Sequence, residues 1–335
     1  MNKVYIIAEA GVNHNGDISM ALELVRKAKW AGADCVKFQT FKAENIVTKS
    51  SPKASYQLKV TDNSESQFEM LKSLELKRDD YIILKKECDK LKIDFISTPY
   101  DFHDVEFLND LGVETFKIAS SQLTETHFLK YIAKKNKHVI LSTGMSTLSE
   151  VFEATQTIKA YNKKLTVLQC TTNYPSLIQE SNINAMISIG SACDVEIGYS
   201  DHVQNNYACY CAVSLGAKII EKHFTLDKNL SGPDHSCSLS PEEFKQLVYG
   251  IRQVEMSLGN GIKAPSSNEK ENIYAMRRSI VASRNLKKGE KISLNSIAFK
   301  RPSNGLSPSQ LEDIMEKKLV KDILKDSPIN LKDFE

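Results

Sequence analysis

The fold class this sequence predicts is α/β: a TIM (β/α)8 barrel of parallel strands followed by a small, β-rich C-terminal domain. Three observations predict it. Short apolar, β-branched runs alternate with stretches of helical periodicity, the mark of parallel βα units. Eight such runs precede a change of pattern near Gly259, and eight is the number that closes a barrel. No GxGxxG follows the first run, which argues against the doubly wound dinucleotide fold, the main competitor.

The eight runs are residues 4–10, 35–40, 94–99, 115–120, 138–144, 165–172, 196–201 and 218–225. Amphipathic stretches at 18–31, 78–91, 125–135, 148–161, 205–217 and 241–258 supply helices between and after them. Gly32, Gly112 and Gly216 stand where helices should end. Residues 41–77 are longer than an ordinary βα loop and rich in Lys, Ser, Asn and Gln. A short helix is expected near 65–74, and a loop of this length at a barrel's carboxyl end is expected to act as a lid. The expected boundaries are a barrel over 1–262, a polar linker over 263–277 and a small domain over 278–335 with a modest core of its own.

Composition narrows the function. The 335 residues are 41% hydrophobic and 26% charged, and 44 basic against 42 acidic residues leave a net charge of +2. That balance makes no electrostatic case for nucleic acid or a membrane surface, so neither partner is expected. No apolar run approaches the roughly 18 residues of a membrane span. The first strand-like run begins at Val4, too early to leave room for a secretory leader. Seven cysteines, an odd number without CxxC pairing, read as free thiols in a reducing cytoplasm. Cys35 and Cys170 are expected in the core, and Cys237 is the cysteine nearest the suspected chemistry.

The chemistry collects at strand ends. His202 and His223 are 21 residues apart, one β/α step, so their imidazoles should rise side by side at the carboxyl ends of neighbouring strands. With Glu9 and water, such a pair suits Mn²⁺, Mg²⁺ or Zn²⁺ by ligand type. Glu9 lies inside an apolar run, where a charge is either paired or used in chemistry. His14 is either a turn residue bonded to backbone or part of the site. Lys37 and Gln39 alternate with apolar neighbours on the second strand and share a face. Thr98 ends the third strand, the fourth carries Lys117 and Ser120, and the fifth ends at Ser142. Two strand lysines among hydroxyls and loop amides make a cradle for phosphate or carboxylate. The competing reading is that each lysine snorkels to the rim. Asp234, in the last loop, is either a further carboxylate at this rim or a turn residue.

These residues resemble the sialic acid synthase family nearly end to end. The likeness is carried by Ile6-Ile-Ala-Glu-Ala-Gly-Val-Asn-His-Asn-Gly16, Val36-Lys-Phe-Gln-Thr40, Ser97-Thr-Pro99, Phe116-Lys-Ile-Ala-Ser120 and Leu141-Ser-Thr-Gly-Met145. It continues through Cys170-Thr-Thr-Asn-Tyr-Pro175, Gly198-Tyr-Ser-Asp-His202, Glu221-Lys-His-Phe-Thr225, Ser231-Gly-Pro-Asp-His235 and Lys300-Arg-Pro-Ser-Asn-Gly305. The resemblance implies a barrel with an antifreeze-like (SAF) C-terminal domain, in a domain-swapped homodimer. It implies condensation of phosphoenolpyruvate with an N-acetylmannosamine-type aldehyde to a nine-carbon 2-keto acid and phosphate, by C–O cleavage. Lys37, Thr98, Lys117, Ser120 and Ser142 would hold phosphoenolpyruvate, and His202 and His223 would hold Mn²⁺ or Mg²⁺. Gln39, Tyr174 and Asp234 would contact the sugar, Arg301 would reach its N-acetyl group from the partner's small domain, and Glu9 would sit near metal and substrate.

One position departs from the family pattern. Gln122 stands where a glutamate is usual, close enough to the sugar to bind it but unable to act as a base. N-acetylneuraminate synthase is the first reading. A legionaminate synthase using the 6-deoxy diacetamido sugar is the alternative. From other classes come a Schiff-base aldolase built on one strand lysine and a non-enzymatic carbohydrate-binding protein.

Overall fold

The computed structural model describes residues 3–62 and 64–335. Strands β1 (Tyr5–Gly11), β2 (Cys35–Thr40), β3 (Asp94–Pro99), β4 (Thr115–Ile118), β5 (His138–Ser142), β6 (Leu165–Cys170), β7 (Glu196–Asp201) and β8 (Ile219–His223) make one sheet. Its order is β3-β2-β1-β8-β7-β6-β5-β4, with every ladder parallel. β3 and β4 come side by side, so the sheet nearly closes on itself as the expected TIM-type barrel. Between these two strands no ladder forms among the described residues.

Strand alternation positions the site. Ile7, Cys35, Ile96, Ile140, Leu168 and Ile219 meet inside the barrel as an apolar plug. Their chain neighbours, among them Ile6, Ala8, Val36, Phe95, Val139, Val167 and Ile220, pack outward against the helices. Two residues beyond each plug residue the inward set turns polar, giving Glu9, Lys37, Thr98, Ser142, Cys170 and Glu221, all buried. The strands' period-two alternation thus sets an apolar plug below and a polar layer above.

The helices hold this layer from outside. Helix Ile18–Ala31 starts where the Asp17 carboxylate accepts from the Ser19 amide at 2.6 Å and ends at Gly32, whose φ of 88° places it in the left-handed region. Helix Pro241–Leu258 opens on a Ser240–Glu243 capping box with proline in its first turn. Residues 41–77 carry three short helices, Ala43–Ile46, Gln57–Val60 and Gln67–Ser73, the last matching the expected one. A satellite core of Val12, Phe41, Met70 and Leu74 seats this segment.

A second compact unit begins at Asn260. It has an antiparallel pair, β9 (Ser279–Ala282) and β10 (Ile297–Lys300), around a small core that includes Ile280, Leu286, Ile292, Ile314 and Ile329. The stretch expected as polar linker contains a helix, Ser267–Met276. Its start is set by a Ser266–Glu269 capping box, a local signal stronger than the polar composition that suggested a linker. Among the described residues no helix is long and apolar enough to cross a membrane, and all seven cysteines are free.

Candidate active site

The polar layer opens into a cavity of about 320 Å³ at the carboxyl ends of the strands. At its floor, β1 and β2 pair Glu9 with Lys37 in register, and Glu9 Oε2 lies 2.6 Å from Lys37 Nζ. Glu221, from β8, reaches Lys117 Nζ at 3.4 Å and Lys37 Nζ at 3.8 Å through Oε1, which also accepts from Ser200 Oγ at 3.1 Å. Two ammonium and two carboxylate groups therefore interleave. Both lysines are 3% exposed, so neither snorkels to the rim. For Glu9, the buried ion pair and the place in the cavity are both true.

Electrostatics divides the four groups. Burial pushes the Glu9 carboxyl up to about 7 against the pull of Lys37, with Glu221 adding to the rise. Burial also disfavours the Lys37 ammonium, but Glu221 and Glu9 outweigh it and hold that group above its ordinary value. Lys117 goes the other way: burial, helped by Lys37, lowers it in spite of Glu221. Glu221 stays below the usual carboxylate value because the two lysines overcome its burial.

Hydroxyls complete the cradle. Lys37 Nζ donates to Thr98 Oγ1 at 3.4 Å, the Gly144 amide donates to Ser120 Oγ at 2.9 Å, and Ser142 Oγ is buried with no partner. Gln39 Nε2 donates to Glu9 Oε1, and Gln39 Oε1 accepts from Tyr100, each at 3.4 Å. These groups face the cavity, as the sequence expected of Lys37, Gln39, Thr98, Lys117, Ser120 and Ser142.

The two histidines come together above the floor, with ring centroids 5.3 Å apart. His202 Nδ1 donates to the Thr171 carbonyl at 2.6 Å, so Nε2 is the acceptor of the neutral ring. Burial disfavours the charged ring, but Cys170 beside it outweighs burial and raises this imidazole above its ordinary value. Burial and the neighbouring His202 drive His223 well below its ordinary value, so it is a neutral imidazole. Its Nδ1 is buried without a hydrogen-bond partner, 3.9 Å from Asp234 Oδ2. Burial raises the Asp234 carboxyl to about 6. Tyr174 packs on His202 at 4.1 Å and on the edge of His223 at 5.6 Å, while Tyr56 from the 41–77 segment covers Tyr174 at 4.9 Å.

The orphaned His223 nitrogen, the His202 ring beside it and the Asp234 carboxylate near them fit a divalent cation of the Mn²⁺ or Mg²⁺ kind. Among the described residues no group of three His, Cys, Asp or Glu is close enough to enclose one. Such a centre would be open, with positions left for water and substrate.

Other expected residues lie elsewhere. His14 is the turn residue of the two readings, its Nδ1 accepting from the Gly16 amide at 3.0 Å. Gln122, expected at the sugar, does not line the cavity: it is 2% exposed, and its amide bonds the Pro99 carbonyl at the end of β3 and the Ala119 amide just after β4. Arg301 belongs to the second unit, where its Nε donates to the Met276 carbonyl at 2.9 Å. Cys237 donates to the Asp234 carbonyl at 3.1 Å, and burial raises its thiol. Glu221 and Cys170 are among the cavity residues that were missed. Glu221 follows Ile219, and Cys170 follows Leu168, by the same two-residue step that picked out Lys37 and Ser142. That alternation was the available signal.

A polar cavity at the carboxyl-terminal mouth of an eight-stranded barrel is where enzymes of this architecture keep their chemistry, and this chain is such an enzyme. It belongs to the NeuB family, the sialic acid synthases, whose signature matches residues 24–263, with a SAF domain over residues 277–335. It is 46% identical, over 98% of this chain and 99% of the relative, to an N,N'-diacetyllegionaminic acid synthase of Campylobacter jejuni. Identity is 45% to the enzyme of that name from Legionella pneumophila, over 94% of this chain and 90% of the relative. A solved structure of an N-acetylneuraminic acid (sialic acid) synthetase from Leptospira borgpetersenii superposes with a TM-score of 0.72 at 33% identity, covering 81% of this chain and 90% of that one.

Proposed function

We propose that this chain condenses phosphoenolpyruvate with the open-chain aldehyde of a 2-acetamido sugar, giving a nine-carbon 2-keto acid and inorganic phosphate. One observation carries the reading: the Lys37, Lys117, Thr98, Ser120 and Ser142 cradle opens beside the His202–His223 pair. An anionic three-carbon donor and an electrophilic carbonyl could thereby be held side by side. The sequence alone put N-acetylmannosamine first as acceptor. The greater likeness to the two legionaminate enzymes moves the preference to the 6-deoxy diacetamido sugar. The apolar wall of Ile46, Val47, Met70 and Leu71 supports it, because it suits a methyl or acetamido group better than a free hydroxyl.

In this mechanism the two lysines and the hydroxyls fix the phosphate and carboxylate of phosphoenolpyruvate. C3 of the enol attacks the aldehyde carbon, water adds at C2, and the C2–O bond then breaks, so that phosphate leaves with the bridging oxygen. A divalent cation at His202 and His223 would supply Lewis-acid polarisation of the aldehyde. Glu9, with a carboxyl near 7, is suited to exchange a proton with the water or the new hydroxyl. The proposal extends to a cytoplasmic homodimer in which Arg301 serves the N-acetyl group of the sugar.

The test is phosphate release from phosphoenolpyruvate with each sugar in turn: N-acetylmannosamine, its 6-phosphate and the 6-deoxy diacetamido relative, with and without Mn²⁺. Highest turnover with the third sugar is expected. Phosphoenolpyruvate labelled with ¹⁸O at the C2 bridge should give labelled phosphate, and label retained in the keto acid would overturn the cleavage step. A Schiff-base lysine is the second reading, favoured by the lowered Lys117. Borohydride trapping of a Lys117 adduct, with turnover indifferent to EDTA, would establish it instead.

A further inference from the structure

The anion cradle is divided between two strands that share no ladder. Seven of the barrel's neighbouring strand pairs are hydrogen-bonded in parallel register, but β3 and β4 are not. β3 brings Thr98, and β4 with the turn after it brings Lys117 and Ser120. Without a ladder, the spacing of these groups must be set by something else.

Gln122 lies across this gap. It ends the single 3₁₀ turn Ser120–Gln122, and its side chain folds back under that turn. Its Oε1 accepts from the Ala119 amide at 3.2 Å, and its Nε2 donates to the Pro99 carbonyl at 3.1 Å. The side chain is buried, and neither of its polar atoms lacks a partner. A neutral amide satisfies both bonds at once, because one end accepts and the other donates. A carboxylate would keep the first bond and set a second oxygen against the Pro99 carbonyl.

We infer that Gln122 is a positioning residue: by bridging Pro99 and Ala119 it sets the distance between the Thr98 and the Lys117–Ser120 halves of the donor cradle. The inference rests on the reading of that cradle as the phosphoenolpyruvate site. It assigns Gln122 no contact with the sugar.

Two variants of the full chain test it. Gln122→Met keeps the volume and loses both bonds, whereas Gln122→Glu keeps the acceptor and loses the donor. In both, KM for phosphoenolpyruvate should rise roughly tenfold, the scale of one lost buried hydrogen bond. Meanwhile kcat and the KM for the sugar should stay within about twofold. Exchange of the Ala119 amide with solvent should quicken in Gln122→Met and stay slow in Gln122→Glu, a readout that needs no substrate. An unchanged KM for phosphoenolpyruvate in both variants would overturn the inference, as would a rise confined to the sugar. Failure of the wild type to release phosphate from phosphoenolpyruvate would instead overturn the functional reading. The exchange result would stand apart from that outcome.

Discussion

Glu9 and Lys37 face each other across the β1–β2 ladder with 2.6 Å between carboxylate and ammonium, each at most 4% exposed. The pair sits where the barrel's interior changes from apolar to polar, and its energetics follow from burial. Removing one member strands the other charge, which typically costs about 3–5 kcal/mol, while removing both together costs far less. Lys37→Met should therefore lower stability by about that amount in urea unfolding. The double variant Glu9→Gln/Lys37→Met should recover much of the loss, a non-additivity expected of side chains in contact. Activity should not recover, since kcat/KM needs the ammonium for the donor anion and should fall at least roughly a hundredfold in either variant.

The two imidazoles predict a metal requirement. Phosphate release should stop in EDTA and return with Mn²⁺ or Mg²⁺. His202→Ala and His223→Ala should each weaken Mn²⁺ binding by at least about tenfold, read from the paramagnetic signal of free Mn²⁺ and thus independent of turnover. Full turnover in EDTA would remove the metal from the account.

Gly144 has no room for a side chain. A Cβ there would lie 2.0 Å from Thr172 Oγ1 and 2.9 Å from Ser120 Oγ, the hydroxyl that its own amide donates to. Gly144→Ala should cost about 1–3 kcal/mol in stability. Because relief must come from Thr172 or Ser120, KM for phosphoenolpyruvate should also rise. A variant that loses stability with KM unchanged would show the cradle to be independent of this turn.

Asp104 gives a pH prediction away from the cavity. Burial, with Asp101 adding to it, raises its carboxyl from an ordinary 3.8 to about 7, and Oδ2 has no hydrogen-bond partner. The folded state therefore holds a proton here that the unfolded chain releases at lower pH. Its contribution to stability is full below about 3.8 and is lost as pH rises through about 7. Asp104→Asn should flatten that part of the melting-temperature profile and melt above the wild type at pH 8. Parallel profiles for the two proteins would place the titration elsewhere.

The sequence by itself determined the barrel, because eight β-branched runs separated by helical periods leave few other ways to bury both faces of a parallel sheet. It also placed a large part of the cavity's polar lining. Lys37, Thr98, Lys117 and Ser142 stand at the carboxyl ends of strands, and a strand's alternation fixes which side they face. Glu221 and Cys170 were within the same reach, had the alternation been counted from Ile219 and Leu168.

What only the tertiary structure decided are the relations between strands. The interleaving of Glu9, Lys37, Glu221 and Lys117 depends on which strands become neighbours and in what register. The missing β3–β4 ladder leaves no mark in either strand's residues, so the bridging role of Gln122 was out of view and a sugar contact was expected in its place. Periodicity is a property of one strand and can be read along the chain, whereas a hydrogen bond across a seam belongs to two segments whose approach is set by the packing of the whole barrel.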